Sequence, residues 1–575
     1  MSWEAIRTRR WLLFLVGVFC VALAMRVYRL GELGSWEDET KEAMDVVRAT
    51  EHDGRLSGAM VRHVQRFGQP PLSYYLQQAA VSNVGLTLAG IRAHSALAGA
   101  LMTVGVALLW MRMRPPDSRV WPWTFGLLAI PACAPLYVYY GQEARPYSTG
   151  LLMSVLWLIA LYEFVFRGSG RVRVSAVVFL TAVQLAFLLS LGFQPAVVLF
   201  TAGLALVSLV FAGVYRRRVL WAWLTTLVAL LAFLPWQTLP LYRYRFHLKG
   251  GSSGGLGGVL APLFGEPATV PSGPWIEKFY RDAIGLRAGV PDAGLLVAAL
   301  LAAAVLAYTW RRRDRDRAAW VLFLLLFSAA FPFTYAWIRG SLIEAPDHVR
   351  YSITAMPPVF LLGIALGATG LEWVAGFTER RGGRPWLAPA IAGLLSVSLL
   401  VLSVRTTASV AYRHRGPDRR MHKILARGSM PGDLYYSPDY RLRQAFHFYD
   451  HGPVDEVKPL ADLPGDLAGG LIGAETRRIF VSHFKAERFD RSGLARLSAT
   501  HEAIGVVFDH SALRCLVITA GPGGMLATLR PIFDEWEGWM EERYPEHDGP
   551  AYVGEGARIL RLLEPGPTEG DETGG

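Results

Sequence analysis

Charge and cysteine are scarce in this chain. Only 18% of its 575 residues are charged and 3 are cysteines, whereas 52% are hydrophobic and the mean hydropathy is +0.28. Cys20 and Cys133 fall in long apolar runs and only Cys515 lies outside them, so a disulfide framework is excluded. A chain with this balance is predicted to be an integral membrane protein.

A transmembrane helix requires roughly 17 to 25 mainly apolar residues. Successive runs of this kind predict an α-helical polytopic protein with about eleven transmembrane helices. The runs lie at 11–30, 93–111, 121–139, 148–166, 173–191, 194–213, 219–240, 292–310, 319–337, 353–377 and 386–404. The division of 173–213 into two helices around Gly192 to Pro195 is left open.

The arginines support this count, because short cytoplasmic loops accumulate Lys and Arg whereas short external loops do not. With the N-terminus inside, the cytoplasmic segments carry Arg7, Arg9, Arg10, Arg112, Arg114, Arg119, Arg167, Arg171, Arg173, Arg216 to Arg218, Arg311 to Arg313, Arg315, Arg317, Arg380, Arg381 and Arg384. The short external loops contain only Arg145, Arg339 and Arg350. The net charge of +11 therefore reflects membrane topology, and nucleic-acid binding is not indicated.

The first run has an alternative interpretation. Arg7 to Arg10, the apolar residues that follow and Ala22-Leu23-Ala24 also fit a signal peptide with a cleavage site. Cleavage would leave every other helix and external loop on the same side.

Three large pieces are predicted to lie outside: the loop 31–92, the loop 242–291 and the chain after Arg405. The first 405 residues form a membrane domain, residues 406–565 a soluble extracytoplasmic α/β domain, and residues 566–575 a disordered tail. The α/β prediction rests on a helix-like run at 419–428 and strand-like runs at 433–436, 479–482, 504–508, 516–519 and 558–562.

The glycine-rich run Gly250 to Gly258 lacks the Gly-Lys-Ser/Thr ending of a phosphate-binding loop. It is typical of a flexible hinge or linker. We expect the loop that contains it, 242–291, to be mobile and to gate a substrate.

An acidic cluster, Trp36-Glu37-Asp38-Glu39, follows the first predicted span. Asp38 and Glu39 are the leading candidates for a catalytic role. The alternative is that they solvate a helix end or pair with Arg26 or Arg29. The same face is predicted to carry further polar and aromatic residues, namely Arg62, His63, Gln69, Tyr74, Tyr75, Arg92 and His94.

Two further clusters lie at predicted external ends of spans: Tyr139 to Tyr147, which contains Glu143 and Arg145, and Asp347-His348-Val349-Arg350-Tyr351. A guanidinium is always charged and its forked donors suit a phosphate or diphosphate. Anchoring to lipid headgroups, or pairing with a neighbouring carboxylate, is the alternative role of Arg145 and Arg350.

A carboxylate beside several arginines at the bilayer surface suits transfer of a group from a lipid phosphate. The carboxylate would deprotonate a hydroxyl, whose oxygen attacks the donor carbon, while the arginines stabilise the charge on the leaving phosphate.

The order of these motifs resembles the GT-C superfamily of membrane glycosyltransferases. It is most similar to users of polyprenyl-phosphate sugars such as protein O-mannosyltransferases and bacterial lipid A aminoarabinose transferases. The similar motifs are Trp36 to Glu39, Gln69-Pro70-Pro71-Leu72-Ser73-Tyr74-Tyr75-Leu76, Arg92 with Ser95-Ala96-Leu97, Glu143-Ala144-Arg145-Pro146-Tyr147, and Arg350-Tyr351 with Pro357-Pro358. Gln69 stands where the family often has His, which puts in doubt any role that needs an imidazole there.

The resemblance implies a GT-C fold and an inverting transfer of a sugar from undecaprenyl phosphate on the external face. It implies that Asp38 is the catalytic base with Glu39 as its helper. The donor phosphate would be held by Arg145, Arg350, Tyr147, His348 and Arg92. A divalent cation such as Mg²⁺ or Mn²⁺, bound by Asp38, Glu39 and Glu143, is left open.

The sequence therefore predicts a glycosyltransferase in the bacterial cytoplasmic membrane, with its active site and C-terminal domain on the periplasmic side. Its partners would be the lipid-linked donor, the bilayer, and a lipid, glycan or protein acceptor. A glycolipid transporter or flippase is the main alternative, which charge-free span centres and the lack of a visible repeat disfavour. A catalytically inactive glycan-binding scaffold or sensor is a third reading.

Overall fold

A computed structural model describes most of the N-terminal 410 residues and the strands of a C-terminal sheet. The described residues are 3–31, 39, 71–113, 131–167, 172–211, 215–248, 315–339, 353–380, 387–410, 434–437, 457–459, 478–483, 502–509 and 514–520.

In the described part of residues 1–410, all regular secondary structure is helical. The helices are α1 (Trp3–Val27), α2 (Pro71–Val84), α3 (Leu88–Met113), α4 (Pro135–Gly141), α5 (Tyr147–Leu161), α6 (Val174–Leu191), α7 (Phe193–Phe211), α8 (Arg216–Leu248), α9 (Arg315–Arg339), α10 (Met356–Arg380) and α11 (Leu387–Val410). A π-helical turn, Tyr162–Phe166, continues α5.

Five helical segments are long and apolar enough to cross a membrane: Leu88–Met113, Tyr147–Phe166, Val174–Leu191, Gln194–Phe211 and Ala318–Tyr335. Large apolar side chains also face outward, including Leu12 and Leu13 on α1, Phe179 on α6 and Leu231 on α8. Exposed apolar side chains along long helices are suited to contact with lipid. The chain is a multi-pass membrane protein.

The five segments coincide with five predicted spans to within a few residues at most ends. Gly192 separates α6 from α7 with a φ of 68°, a conformation that glycine adopts without steric cost. The division of 173–213 into two helices, left open by the sequence, therefore falls where this residue interrupts the helix.

The predicted continuous span 121–139 is wrong at Ala134. Its backbone is extended, with φ −62° and ψ 128°, and α4 begins at Pro135. A proline disfavours the helical conformation of the residue before it and is well placed at the first position of a new helix. Residues 114–130 and the predicted span 292–310 lie outside the described residues.

Two predicted loop boundaries also differ, and one of these loops contains a helix. The loop 31–92 contains α2, and α3 begins at Leu88, so Arg92 and His94 lie within the helix. The helix α8 continues to Leu248, seven residues into the predicted loop 242–291. The polar residues at these ends lower the local hydropathy, which is why a hydropathy window ends the span too early. Residues 249–291, including the glycine-rich run, lie outside the described residues.

A ladder of aromatic rings forms much of the helical core. Trp320, Phe323, Phe327, Phe331 and Tyr335 follow one face of α9, are almost fully buried, and have successive ring centroids 5.3 to 6.3 Å apart. The spacing of three or four residues places them on one side of a helix.

The C-terminal region contains a five-stranded sheet. Its strands are β1 (Leu434–Ser437), β2 (Val457–Pro459), β3 (Arg478–His483), β4 (Glu502–Asp509) and β5 (Arg514–Ala520). Their order is β2-β1-β3-β4-β5, and all neighbours are parallel except β4 and β5. Four strands overlap strand-like runs of the sequence, and β2 was not predicted. The run 419–428, the run 558–562 and the tail 566–575 lie outside the described residues.

The chain divides into two compact units. One comprises 1–30, 45–85 and 89–414, and the other comprises 31–44, 86–88 and 415–575. The helices and the sheet thus belong to different units.

Candidate active site

A buried polar cluster lies where three helix ends of the first unit meet. They are the C-terminal end of α1, the beginning of α3, and the segment from α4 to the beginning of α5. The fully or almost fully buried polar side chains there are Arg26, Gln77, Arg92, His94, Ser95, Gln142 and Glu143. Such burial is costly unless the polar groups bond to one another or to the backbone, and several of these bonds are observed.

Arg92 connects α3 to α1. Its side chain is fully buried and Nη1 donates a hydrogen bond of 2.8 Å to the carbonyl oxygen of Leu30. The carbonyl of Ile91, next to it, lies 3.5 Å from Nε2 of Gln77 on α2. Arg92, predicted to hold a phosphate, is therefore also part of the packing that fixes the end of α1.

His94 and Ser95 connect the beginning of α3 to Arg145. Nδ1 of His94 lies 3.0 Å from the carbonyl of Ile91, and Nε2 lies 3.1 Å from Oγ of Ser95. The same Oγ donates to the carbonyl of Arg145 over 3.2 Å. Since a serine hydroxyl has one hydrogen, all three bonds form together only when both ring nitrogens of His94 carry a proton.

The segment 139–147 places a cation on a group of tyrosine rings. Arg145 is half-buried, and its guanidinium carbon lies 5.5 Å from the ring centroid of Tyr147, within the range of a cation–π contact. Tyr147 packs on Tyr140 at 4.6 Å, and Tyr140 packs edge to face on Tyr139 at 5.3 Å. The guanidinium of Arg145 thus lies against a group of packed aromatic rings.

Two polar side chains of this cluster were not assigned a site role from the sequence. Nε2 of Gln142 donates to the carbonyls of Met25 at 3.4 Å and Tyr28 at 2.9 Å. Arg26 is fully buried and its Nη1 donates to the carbonyls of Ala22 at 2.8 Å and Ala132 at 3.1 Å. A charge so close to the end of an apolar run is the one sequence signal that could have identified Arg26.

The chain before α10 packs beside the beginning of α5. Oγ of Ser154 donates to the carbonyl of Thr354 over 2.8 Å, and a Cβ added at Gly150 would lie 3.2 Å from Cγ2 of Thr354. His348 and Arg350 precede this segment in the sequence but lie outside the described residues, as does Tyr351. Pro357 and Pro358 are buried in the first turn of α10.

The acidic motif is described at one position only. Glu39 is fully buried, and it belongs to the second unit of the chain. Asp38, Trp36 and Glu37 lie outside the described residues, as do Arg62, His63, Gln69 and Pro70. Glu143, its predicted companion in a metal site, is buried in the first unit.

The donor chemistry for a hard cation such as Mg²⁺ or Mn²⁺ is carboxylate oxygen. Among the described residues, no group of three or more His, Cys, Asp or Glu side chains could hold a metal ion. Glu39 and Glu143 each carry a carboxylate of this kind, but they belong to different units, and Asp38 lies outside the described residues.

Comparison with solved structures gives likenesses at low sequence identity. ArnT from Cupriavidus metallidurans in the apo state is 16% identical with a TM-score of 0.48, covering 88% of this chain and 94% of that one. The same protein bound to undecaprenyl phosphate is 15% identical with a TM-score of 0.47 over the same shares. The Archaeoglobus fulgidus oligosaccharyltransferase with Zn and sulfate is 13% identical with a TM-score of 0.44, covering 78% and 62%.

ArnT, a lipid A aminoarabinose transferase, and the archaeal oligosaccharyltransferase are both GT-C superfamily members. No family model and no curated protein matches this chain.

Proposed function

We propose that this protein is an inverting GT-C-type glycosyltransferase. It would move a sugar from a polyprenyl phosphate to a hydroxyl of a lipid, polysaccharide or protein at the outer face of the bacterial cytoplasmic membrane. The observation that carries this proposal is the bond between Ser95 and the Arg145 carbonyl. It joins two motifs of the glycosyltransferase resemblance, 50 residues apart, inside a buried polar cluster at one end of long apolar helices.

Arg145 is the leading candidate for the donor phosphate. The residue is half-buried, its guanidinium is always charged and lies over the ring of Tyr147, and its forked donors suit a phosphate. Arg350 and His348 would add to it from the chain before Thr354. Arg92 would take part as well, because the family resemblance assigns it this role and its side chain lies in the same buried polar cluster.

Asp38 would act as the base and Glu39 would assist it. The carboxylate accepts the proton of the acceptor hydroxyl, and the oxygen forms a bond to the anomeric carbon of the sugar. The bond from that carbon to the phosphate oxygen breaks, and the electron pair leaves with the polyprenyl phosphate. A single displacement inverts the configuration, and phosphate is a good enough leaving group for one base to suffice.

A divalent cation would be held by Asp38, Glu39 and Glu143, and would supply charge neutralisation for the phosphate. The assignment is supported by the chemistry of the three side chains, because carboxylate oxygens are the ligands that such a cation prefers.

The proposal includes an extracytoplasmic α/β domain after residue 405. The mostly parallel sheet supports it, because parallel strands need crossover connections, which are usually helices. This domain would contribute to acceptor recognition.

The test is a transfer assay with the purified full chain, radiolabelled sugars on undecaprenyl phosphate and source membranes as acceptor. The wild type should move label to a membrane component, and Asp38→Asn, equally folded, should not. A fully active Asp38→Asn enzyme would refute the role of Asp38. No transfer from any donor, with the lipid instead crossing the bilayer of liposomes, would replace the transferase with a flippase.

A further inference from the structure

The first turn of α5 carries two buried hydroxyl groups without partners. Ser148 and Thr149 are fully buried, and neither Oγ of Ser148 nor Oγ1 of Thr149 has a hydrogen-bond partner among the described residues. Thr226 on α8 shows the usual arrangement, because its hydroxyl donates to the carbonyl of Ala222 at 3.0 Å and accepts from Gln184 at 2.8 Å. Leaving a buried donor without an acceptor destabilises a protein, so the two hydroxyls of α5 require an explanation.

The backbone of the same turn adds two more donors. This helix has 15 residues, its N-cap is Pro146, and no side chain caps it. Its first backbone bond runs from the amide of Gly150 to the carbonyl of Pro146 at 2.9 Å, and within the described part of the chain the amides of Ser148 and Thr149 have no backbone acceptor. The first amides of a helix lie at the positive end of its dipole. Two consecutive buried residues thus offer four donors.

A third hydroxyl of this kind lies beside the turn. Thr354 is fully buried, and in the ranges that the structure describes its Oγ1 has no hydrogen-bond partner. Its Cγ2 would lie 3.2 Å from a Cβ added at Gly150, and its carbonyl accepts the bond from Ser154, so Thr354 packs against the first two turns of α5. Because Oγ1 and Cγ2 are attached to the same carbon atom, this hydroxyl belongs to the same small region.

Arg145 supplies a charge next to these donors. It directly precedes Pro146, and it is half-buried in a stretch, 141–150, whose other residues are buried. The amides and the guanidinium can only donate hydrogen bonds, and the hydroxyls have no acceptor of their own. A group with several negatively charged oxygens would satisfy all of them, and phosphate binds to helix N-termini for this reason.

We propose that Ser148, Thr149 and Thr354 bind the phosphate of the polyprenyl-phosphate donor through their hydroxyl groups. This inference rests on the proposed transferase function and adds hydroxyl ligands to the arginines considered there. The amides of Ser148 and Thr149 would donate to the same phosphate. Because the hydroxyls are covered, the side chains packed over them must move when the phosphate enters. A site closed to water makes each of these hydrogen bonds stronger.

The first test measures binding of radiolabelled undecaprenyl phosphate to the purified full chain in detergent. Ser148→Ala, Thr149→Val and Thr354→Val each remove one hydroxyl and should raise Kd by about 10-fold, because each loses a hydrogen bond to a charged group. Thr149→Ser keeps the hydroxyl and should bind nearly as the wild type does. The matched control is Thr226→Val, which removes a buried hydroxyl that has partners and should leave Kd unchanged.

Thermal unfolding without added lipid should give the opposite order. Thr149→Val and Thr354→Val remove a donor that has no acceptor, so their Tm should match or exceed that of the wild type. Thr226→Val takes the acceptor away from Nε2 of Gln184, so its Tm should fall. Weaker binding together with a lower Tm in Thr149→Val and Thr354→Val would show that these hydroxyls hold the fold and would overturn the proposal.

Undecaprenol, which lacks the phosphate, separates the headgroup from the lipid tail. Its affinity, measured by competition, should be the same in the wild type and in the three variants that lose a hydroxyl. An equal loss of affinity for undecaprenol and undecaprenyl phosphate would mean that the hydroxyls do not bind phosphate.

The binding measurement also separates this inference from the function on which it rests. Wild-type transfer that is lost in Asp38→Asn, with an unchanged Kd in all three hydroxyl variants, would overturn these ligands and leave the transferase in place. Weaker binding of undecaprenyl phosphate in the hydroxyl variants of a chain that transfers no sugar from any donor would overturn the transferase and support the phosphate site.

Discussion

The same helix carries two arginines with opposite surroundings. Arg92, near the beginning of α3, is fully buried and bonded to the end of α1, whereas Arg112, at the other end, has a side chain that is 60% exposed. Twenty residues at 1.5 Å each place them about 30 Å apart, the thickness of a bilayer core. Arg112 and Arg167 both lie within 4 Å of Glu163, which is 41% exposed.

The difference separates two uses of arginine in a membrane protein. Exposed arginines at one end, including Arg112, Arg167 and Arg173, fit a role in topology, where only the charge matters. At the other end the guanidinium groups of Arg26 and Arg92 bond to specific carbonyls, and Arg145 rests on Tyr147. Geometry, not charge alone, matters there, which is expected of an active site.

The largest expected difference between the two ends is in transfer rate. Arg145→Ala should lower kcat/KM for the lipid-linked donor by about 100-fold, because it removes a positioned cation from the leaving phosphate. Arg112→Ala, which removes the same charge from the other end, should stay within about twofold of the wild type. Equal losses in the two variants would mean that the net charge of the protein, and not a site, governs transfer.

Replacing an arginine at the buried end should also lower the stability of the protein more than replacing one at the exposed end. Arg92→Met leaves the Leu30 carbonyl without its donor inside the protein and should cost about 1–3 kcal/mol. Arg112→Met removes one exposed ion pair and should cost at most about 1 kcal/mol. Thermal unfolding in one detergent measures both, and a larger fall in Tm for Arg112→Met would reverse the comparison.

A pair of serines extends the comparison to a buried and an exposed hydrogen bond. Ser154→Ala removes the bond that ties the Thr354 carbonyl to α5 and should cost about 1 kcal/mol. Ser208→Ala should be nearly neutral, since Ser208 is exposed and bonds to Leu204 of its own helix. If Ser208→Ala lowers Tm as much as Ser154→Ala, the contact with Thr354 contributes nothing special.

The smallest effect is expected at the exposed end. Glu163→Gln removes both ion pairs of that residue, yet should change stability by less than about 1 kcal/mol and by less still at high salt. A loss above that value, insensitive to salt, would show that Glu163 is more than a surface charge.

Length and hydropathy were enough to predict the five membrane-length segments, because a span must be about 20 residues long and apolar whatever it packs against. Gly192 and Pro135 also mark real interruptions. The prediction of one span over 121–139 failed because hydropathy does not register a proline-induced break, although Pro135 was visible.

The motif resemblance predicted Arg92 and Arg145 as site residues but did not predict the hydrogen bonds made at these positions. Ser95 bonds to a backbone carbonyl 50 residues away, and Gln142 bonds to carbonyls more than 110 residues away. Pairings of this kind depend on tertiary packing, which the pattern of residue types does not encode. The burial of Arg92 within α3 was missed for a related reason, since a charge at the edge of an apolar run is read as a loop.

The most direct test of the central claim, that the lipid phosphate binds at the end with buried arginines, is thermal unfolding with undecaprenyl phosphate. A ligand at 100 times its Kd stabilises the native state by about 2.7 kcal/mol. The Tm of the wild type and of Arg112→Ala should rise, and that of Arg145→Ala should not. An equal rise in all three proteins, or none in the wild type, would contradict the claim.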